Sequence, residues 1–164
     1  MIKKLEPPLL NRESTEGGQS LIELTLTLPL LLIILLGTID LGRVFFAYVT
    51  ITNASRVGAR YGMTNFDSTL QTALQDPDPA TQLQNIFQQN TLIESPGVLG
   101  TSTVLTECSP YDSSQPYSTT YCLSAQHGDL IRVTVTYTFQ FETMYLFGLR
   151  NMAISNHTVM VIVH

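Results

Sequence analysis

Few residues in this chain have the type and spacing to do chemistry, and the most informative of them stand near its start. The run Gly17-Gly18-Gln19-Ser20-Leu21-Ile22-Glu23 places two small residues and one carboxylate at the head of a long apolar stretch. A carboxylate at the entry of such a stretch is costly in a low-dielectric setting unless something neutralises it. A cut after Gly18 would make Gln19 the new amino terminus and Glu23 the fifth residue of the shortened chain. The new amine and the Glu23 carboxylate could then neutralise each other, within one chain or between neighbours.

Other reactive residue types do not assemble into a site. His127, His157 and His164 have no Cys, Glu or His at ligand spacing. No Gly-rich phosphate loop, nucleophile elbow or Cys-His pairing signature occurs. His127-Gly128-Asp129 reads as a turn entering a strand. Asp76-Pro77-Asp78-Pro79 reads as a proline-rich turn and helix start rather than a calcium site, because no ligand-rich loop follows. Asn156-His157-Thr158 fits a glycosylation sequon, a motif short enough to arise by chance. The expectation is a chain with no catalytic residues, no cofactor and no metal. Cys108 and Cys122 read as one disulfide closing a short loop on the far side of a membrane. By chain-entropy reasoning such a loop contributes about 3 kcal/mol.

The elements that would position these residues follow from composition. The chain has 164 residues and a formal charge of −5, with lysine only at Lys3 and Lys4. No basic patch exists to hold a phosphate backbone, so nucleic acid is not an expected partner. Apolar residues are unevenly spread, and no charge lies between Glu23 and Asp40. Leu21 to Ile39, at about 1.5 Å per helical residue, approaches the thickness of a bilayer's hydrocarbon core. Pro29 removes one helical hydrogen bond within it, which a membrane helix tolerates. An ordinary signal peptide places its small-residue cleavage site after the apolar run. Here Gly17-Gly18 precede it, so the order is inverted.

Gly18, Glu23, the apolar run with Pro29, Gly37-Thr38-Ile39-Asp40-Leu41-Gly42-Arg43 and Asn53-Ala54-Ser55-Arg56-Val57-Gly58-Ala59-Arg60 together resemble the TadE-like family over roughly residues 17–62. The family consists of minor pilins or pseudopilins of tight-adherence pilus systems. The resemblance implies cleavage by a prepilin peptidase at the cytoplasmic face after Gly18, and a role in assembling an adhesive filament. Gln19 stands where type IV pilins generally carry Phe. Leu24 stands where the small major pilins of this system carry Tyr, and that difference, with the long chain, points to a minor component. Lys3, Lys4 and Arg12 on one side of the span are balanced by Arg43, Arg56 and Arg60 on the other. Orientation therefore rests on the leader and the cysteine pair.

Beyond Ile39 the helical pattern continues through Leu41, Val44, Phe45 and Tyr48. Asp40 and Arg43 are spaced to pair on the surface. Ala54, Gly58 and Gly62 form a row of small residues that admits another backbone, either from the chain's own head or from a neighbouring subunit. Ser68 is placed to cap a short helix over 69–75, and Asp78-Pro79 to start another with Leu83, Ile86 and Phe87 inward. A strand is expected over 97–108. A disulfide-held loop spans 109–126, and a strand follows in which Ile131, Val133, Val135, Tyr137, Phe139 and Phe141 share one face. A turn around Gly148 and Asn151 leads to a last strand over 152–163. The expected fold is α+β: a leader (1–18), a transmembrane and stem helix (19–62), and an extracytoplasmic head with an antiparallel sheet (63–164). The partners that follow are the prepilin peptidase, the membrane, and other pilin-like subunits through the apolar helix. The expected location is the inner membrane, in single-pass form with the head outside the cytoplasm, or an extracellular pilus. Two other readings are a major filament subunit and a single-pass anchored ligand-binding domain.

Overall fold

The computed structural model describes residues 16–93, 102–112, 115–141, 148 and 150–163, with side chains described from Gly18 onward. The leader expected over 1–18 lies almost wholly outside the described residues, as do 97–101 of the first expected strand. Two compact units divide the chain, Met1–Thr38 and Ile39–His164.

Helix α1 runs unbroken from Glu16 to Ala73 and continues through Pro29. In the first unit, every apolar side chain from Leu21 to Leu35 faces outward, with Leu26 73% exposed. The described threonine hydroxyls of this unit are satisfied within the helix. The Thr25 hydroxyl donates to the Leu21 carbonyl at 2.7 Å, Thr27 to Glu23 at 2.9 Å, and Thr38 to Ile34 at 2.8 Å. Hydroxyls bonded back to the preceding turn present no unmet donor to an apolar surrounding.

The second unit packs the remainder of α1 and helix α2 (Pro79–Ile93) against a three-stranded antiparallel sheet of order β1-β2-β3. Its strands are β1 (Ser102–Ser109), β2 (Leu130–Gln140) and β3 (Asn151–Val161). A short 3-10 helix, Tyr121–Ser124, lies between β1 and β2. The register sets Val104 against Val135 and Cys108 against Ile131, then Val133 against Thr158 and Tyr137 against Ile154. The expected alternation in β2 holds. Ile131, Val133, Val135 and Phe139 are buried, whereas Arg132, Thr134, Thr136 and Thr138 are only partly covered. Ile51, Ala54 and Phe66 of α1, with Leu83 and Phe87 of α2, complete the core. Ile86 packs at its margin.

One local expectation is corrected. Ser68 does not cap a new helix, because α1 continues through it to Ala73. Its hydroxyl donates back to the Asn65 carbonyl at 3.0 Å, the arrangement of a serine inside a helix. Phe66 and Ala73, both buried in the core on either side of it, keep this part of α1 helical through tertiary packing. The start of α2 is as expected. Pro79 is its first residue, and the Thr81 N–H donates to the Asp78 carboxylate at 3.4 Å.

Candidate functional site

The residues expected to govern processing lie at the beginning of α1. Gly17 and Gly18 are already helical, and Gln19 and Glu23 are exposed on the helix surface. Around Gly18 no side-chain or long-range backbone atom lies within 4 Å of where a Cβ would stand. Pro29 is exposed on the same helix, among the outward-facing leucines and isoleucines. This helix is long and apolar enough to cross a membrane, and none of its most apolar window is buried by the chain itself. The core helix of a soluble domain would have one face covered. This stretch has none.

The small-residue row has a different role from the exposed span. Ala54, Gly58 and Gly62 are all buried. A Cβ on Gly58 would stand 2.5 Å from Thr91 Oγ1 and 2.9 Å from Val133 Cγ1. One on Gly62 would stand 2.5 Å from Ile131 Cδ1 and 2.9 Å from Phe87 Cε1. The row therefore admits α2 and β2 of the same chain, and the edge-to-face contact of Tyr61 with Phe87, centroids 5.6 Å apart, continues it. Of the two uses left open by the spacing, the chain's own head occupies this row.

Asp40 and Arg43 do pair, at 3.4 Å, with Arg43 exposed as expected and Asp40 buried beneath it at 1% exposure. The Arg43 guanidinium also lies over the Phe139 ring, 5.4 Å from its centroid, which ties this turn of α1 to the end of β2. Sequence spacing suggested the pair but carried no sign of its burial, which depends on tertiary packing.

Cys108 and Cys122 form a disulfide. Beside it, Cys108 and Ser118 exchange main-chain hydrogen bonds at 3.0 and 2.9 Å. Arg132 pairs with Glu107 through contacts of 2.6 and 3.1 Å and stacks 4.0 Å from the Tyr117 ring centroid, pinning the loop over the sheet. His127-Gly128-Asp129 is a turn, with Gly128 at φ +96° and the Asp129 N–H donating to the Gln126 carbonyl. Asp129 accepts from the Tyr121 hydroxyl at 3.0 Å. Partial desolvation, reinforced by that carboxylate, pushes the Tyr121 phenol above its ordinary value. Of the sequon residues, Asn156 and Thr158 face α1 and His157 is exposed. Asn156 donates to Thr52 Oγ1 at 3.0 Å, and Thr158 shares a 2.9 Å hydrogen bond with Ser55. Among the described residues no group of three or more His, Cys, Asp or Glu could hold a metal.

The described chain is thus an exposed apolar helix long enough to cross a membrane, joined in sequence to a small α+β head with one disulfide. Among known families, the model described as TadE-like protein matches residues 18–60, so this part of the chain is similar to that family. The match begins at Gly18 and covers Glu23, Pro29, Ala54 and Gly58. No curated protein and no solved structure matches the chain.

Proposed function

We propose that this chain is a minor pilin or pseudopilin that takes part in assembling a tight-adherence pilus, after cleavage by a prepilin peptidase following Gly18. The observation that carries the reading is the coincidence of two boundaries. The TadE-like match starts at Gly18, and the fully exposed apolar surface of α1 starts at Leu21. A leader that ends where an uncovered apolar stem begins is what lateral assembly of stems requires. The helix inserts with its amino-terminal end inside, the leader is removed, and neighbouring stems then replace lipid around the apolar surface.

In this mechanism Glu23 acts after cleavage. The amine released at Gln19 neutralises the Glu23 carboxylate in low dielectric, and a pair formed between chains sets the axial step of one stem against the next. The head stays outside the cytoplasm, where the Cys108–Cys122 disulfide is stable. The partners are the peptidase, the membrane and other pilin-like subunits; the division 1–18, 19–62 and 63–164 corresponds to leader, stem and head.

Mass spectrometry of the amino terminus tests the reading. A mature chain beginning at Gln19 is expected, and a chain still beginning at Met1 in cells with an active peptidase would refute it. A bulky substitution at Gly18 blocks cutting, whereas Glu23→Ala leaves cutting intact and impairs assembly. Normal filaments from the Glu23→Ala chain would remove the charge pairing from the mechanism.

A further inference from the structure

Beyond the stem, one sheet edge of the head, on β3, is uncovered among the described residues. The Ile162 N–H donates to the Asp129 carbonyl and the Ile162 carbonyl accepts from Gly128 N–H, both at 2.9 Å, whereas the Val163 N–H turns the other way to the Met63 carbonyl at 3.2 Å. Main-chain direction alternates along a strand. Even-numbered residues of β3 therefore bond toward β2, and the N–H and carbonyl groups of Ala153, Ser155, His157, Val159 and Val161 point away from the sheet. Among the described residues no backbone group pairs with them. At the opposite edge, on β1, the outward groups of Thr106 are bonded by the Gln84 amide and those of Cys108 by Ser118.

Sheet edges are usually protected by lysine, by proline or by other charges. The sequence of β3, 11 residues long, contains none of these. Beside it, Thr52 bonds to Asn156, and Tyr48, Thr52 and Arg56 follow at helical four-residue steps, so Arg56 continues that row along the strand. Arg56 is exposed and has no ion-pair partner among the described residues. An outward row of alternating donors and acceptors is complementary to an extended chain and to no other secondary structure. The adjacent guanidinium adds the sign of charge.

We propose that the β3 edge docks an extended segment of another protein, which adds to the sheet as a strand next to β3 and sets a carboxylate against Arg56. A second copy of this chain does not meet the requirement, because its own open edge has no acidic residue to offer Arg56.

The test uses the full chain in detergent micelles and a synthetic peptide of alternating valine and threonine with one central aspartate. Amide shifts and slowed hydrogen exchange are expected at Ala153, Ser155, His157, Val159 and Val161. A peptide N-methylated at every residue, which has no N–H on either edge, should fail to bind. Replacing its aspartate by lysine should weaken binding, and Arg56→Ala should erase that difference. Ser155→Pro, which removes an outward N–H while the protection of even-numbered amides reports an intact sheet, should abolish binding. Absence of shifts on β3, shifts located elsewhere, or equal binding by the N-methylated peptide would overturn the proposal. Failure of the pilin reading would appear instead as an uncut amino terminus, with this peptide binding unchanged.

Discussion

The side-chain amide of Gln84 pairs with the main chain of Thr106 as a neighbouring strand would, donating to its carbonyl at 2.5 Å and accepting from its N–H at 2.8 Å. One side chain of α2 thus satisfies both outward groups of a fully buried residue in β1. Gln84→Ala leaves that donor and acceptor unmet, at a cost of about 1–3 kcal/mol. Gln84→Glu still accepts from the N–H, but its carboxylate faces the Thr106 carbonyl unless it is protonated. Protonation restores a donor, so the folded state raises the pKa of this new acid. The variant should therefore be most stable in acid and lose stability as pH rises through that raised value. Thermal unfolding of both variants against pH, followed by circular dichroism, checks this; a Gln84→Glu chain with the pH profile of the parent would contradict it.

At Gly58, α1 lies directly against Thr91 of α2. An alanine there gains helix propensity, roughly 1 kcal/mol. Against this, its methyl would stand 2.5 Å from Thr91 Oγ1 and 3.1 Å from Thr91 Cγ2, so turning the threonine about χ1 exchanges one clash for another. Overpacking of this kind costs about 1–3 kcal/mol, and the net effect is destabilising. Gly42→Ala, with nothing within 4 Å, is the internal control and should stabilise or leave the fold unchanged. Unfolding midpoints of the two variants should move in opposite directions, or at least differ clearly in that order.

How much of this was legible beforehand depended on the kind of signal. The apolar span and the alternation of β2 are periodic over many residues and survive any packing, so the helix and the central strand could be read directly. The Asp78-Pro79 helix start was equally readable because cap chemistry is local. The small-residue row at Ala54, Gly58 and Gly62 announced a close approach but not its partner, since four-residue spacing fits a neighbouring subunit as well as Thr91 and Phe87. Ser68 misled because a serine hydroxyl can bond locally both at a cap and inside a helix, and only Phe66 and Ala73 in the core decide between them. The burial of Asp40, the Gln84 clamp and the Asn156–Thr52 bond join segments distant in sequence. No pattern within either segment encodes them.

The disulfide between Cys108 and Cys122 closes a loop with a sequence separation of 14, for which the chain-entropy estimate is about 3 kcal/mol. In a head this small that is a large share of the total stability. Replacing both cysteines by serine should lower the unfolding midpoint substantially and free the 3-10 turn Tyr121–Ser124. The Arg132–Glu107 pair and the Tyr117 stack should persist only in part. Proteolysis of the loop, measured with and without reductant on the parent chain, gives an independent check. Equal cleavage under both conditions would mean that the main-chain bridge at Ser118 and the Arg132–Tyr117 stack hold the loop without the disulfide.

Asp78 ties the stability of α2 to acid pH. Hydrogen bonding from Thr81, side chain first and main chain next, holds its carboxyl below the ordinary value of 3.8. A depressed folded-state pKa means the folded chain binds this proton less readily than the unfolded chain does. Its contribution is therefore complete above 3.8 and is lost as pH falls through the lower, folded-state value. Asp78→Asn keeps a capping oxygen for the Thr81 N–H but has no proton to take up. The parent chain should accordingly be the more stable of the two near neutral pH, with the gap closing as pH drops below 3.8. The effect is small because the carboxyl is exposed, so it is best read as a difference in unfolding midpoint between the two chains across a pH series. Parallel profiles down to the lowest pH would show that the Thr81 hydrogen bonds do not discriminate between the charged and neutral cap.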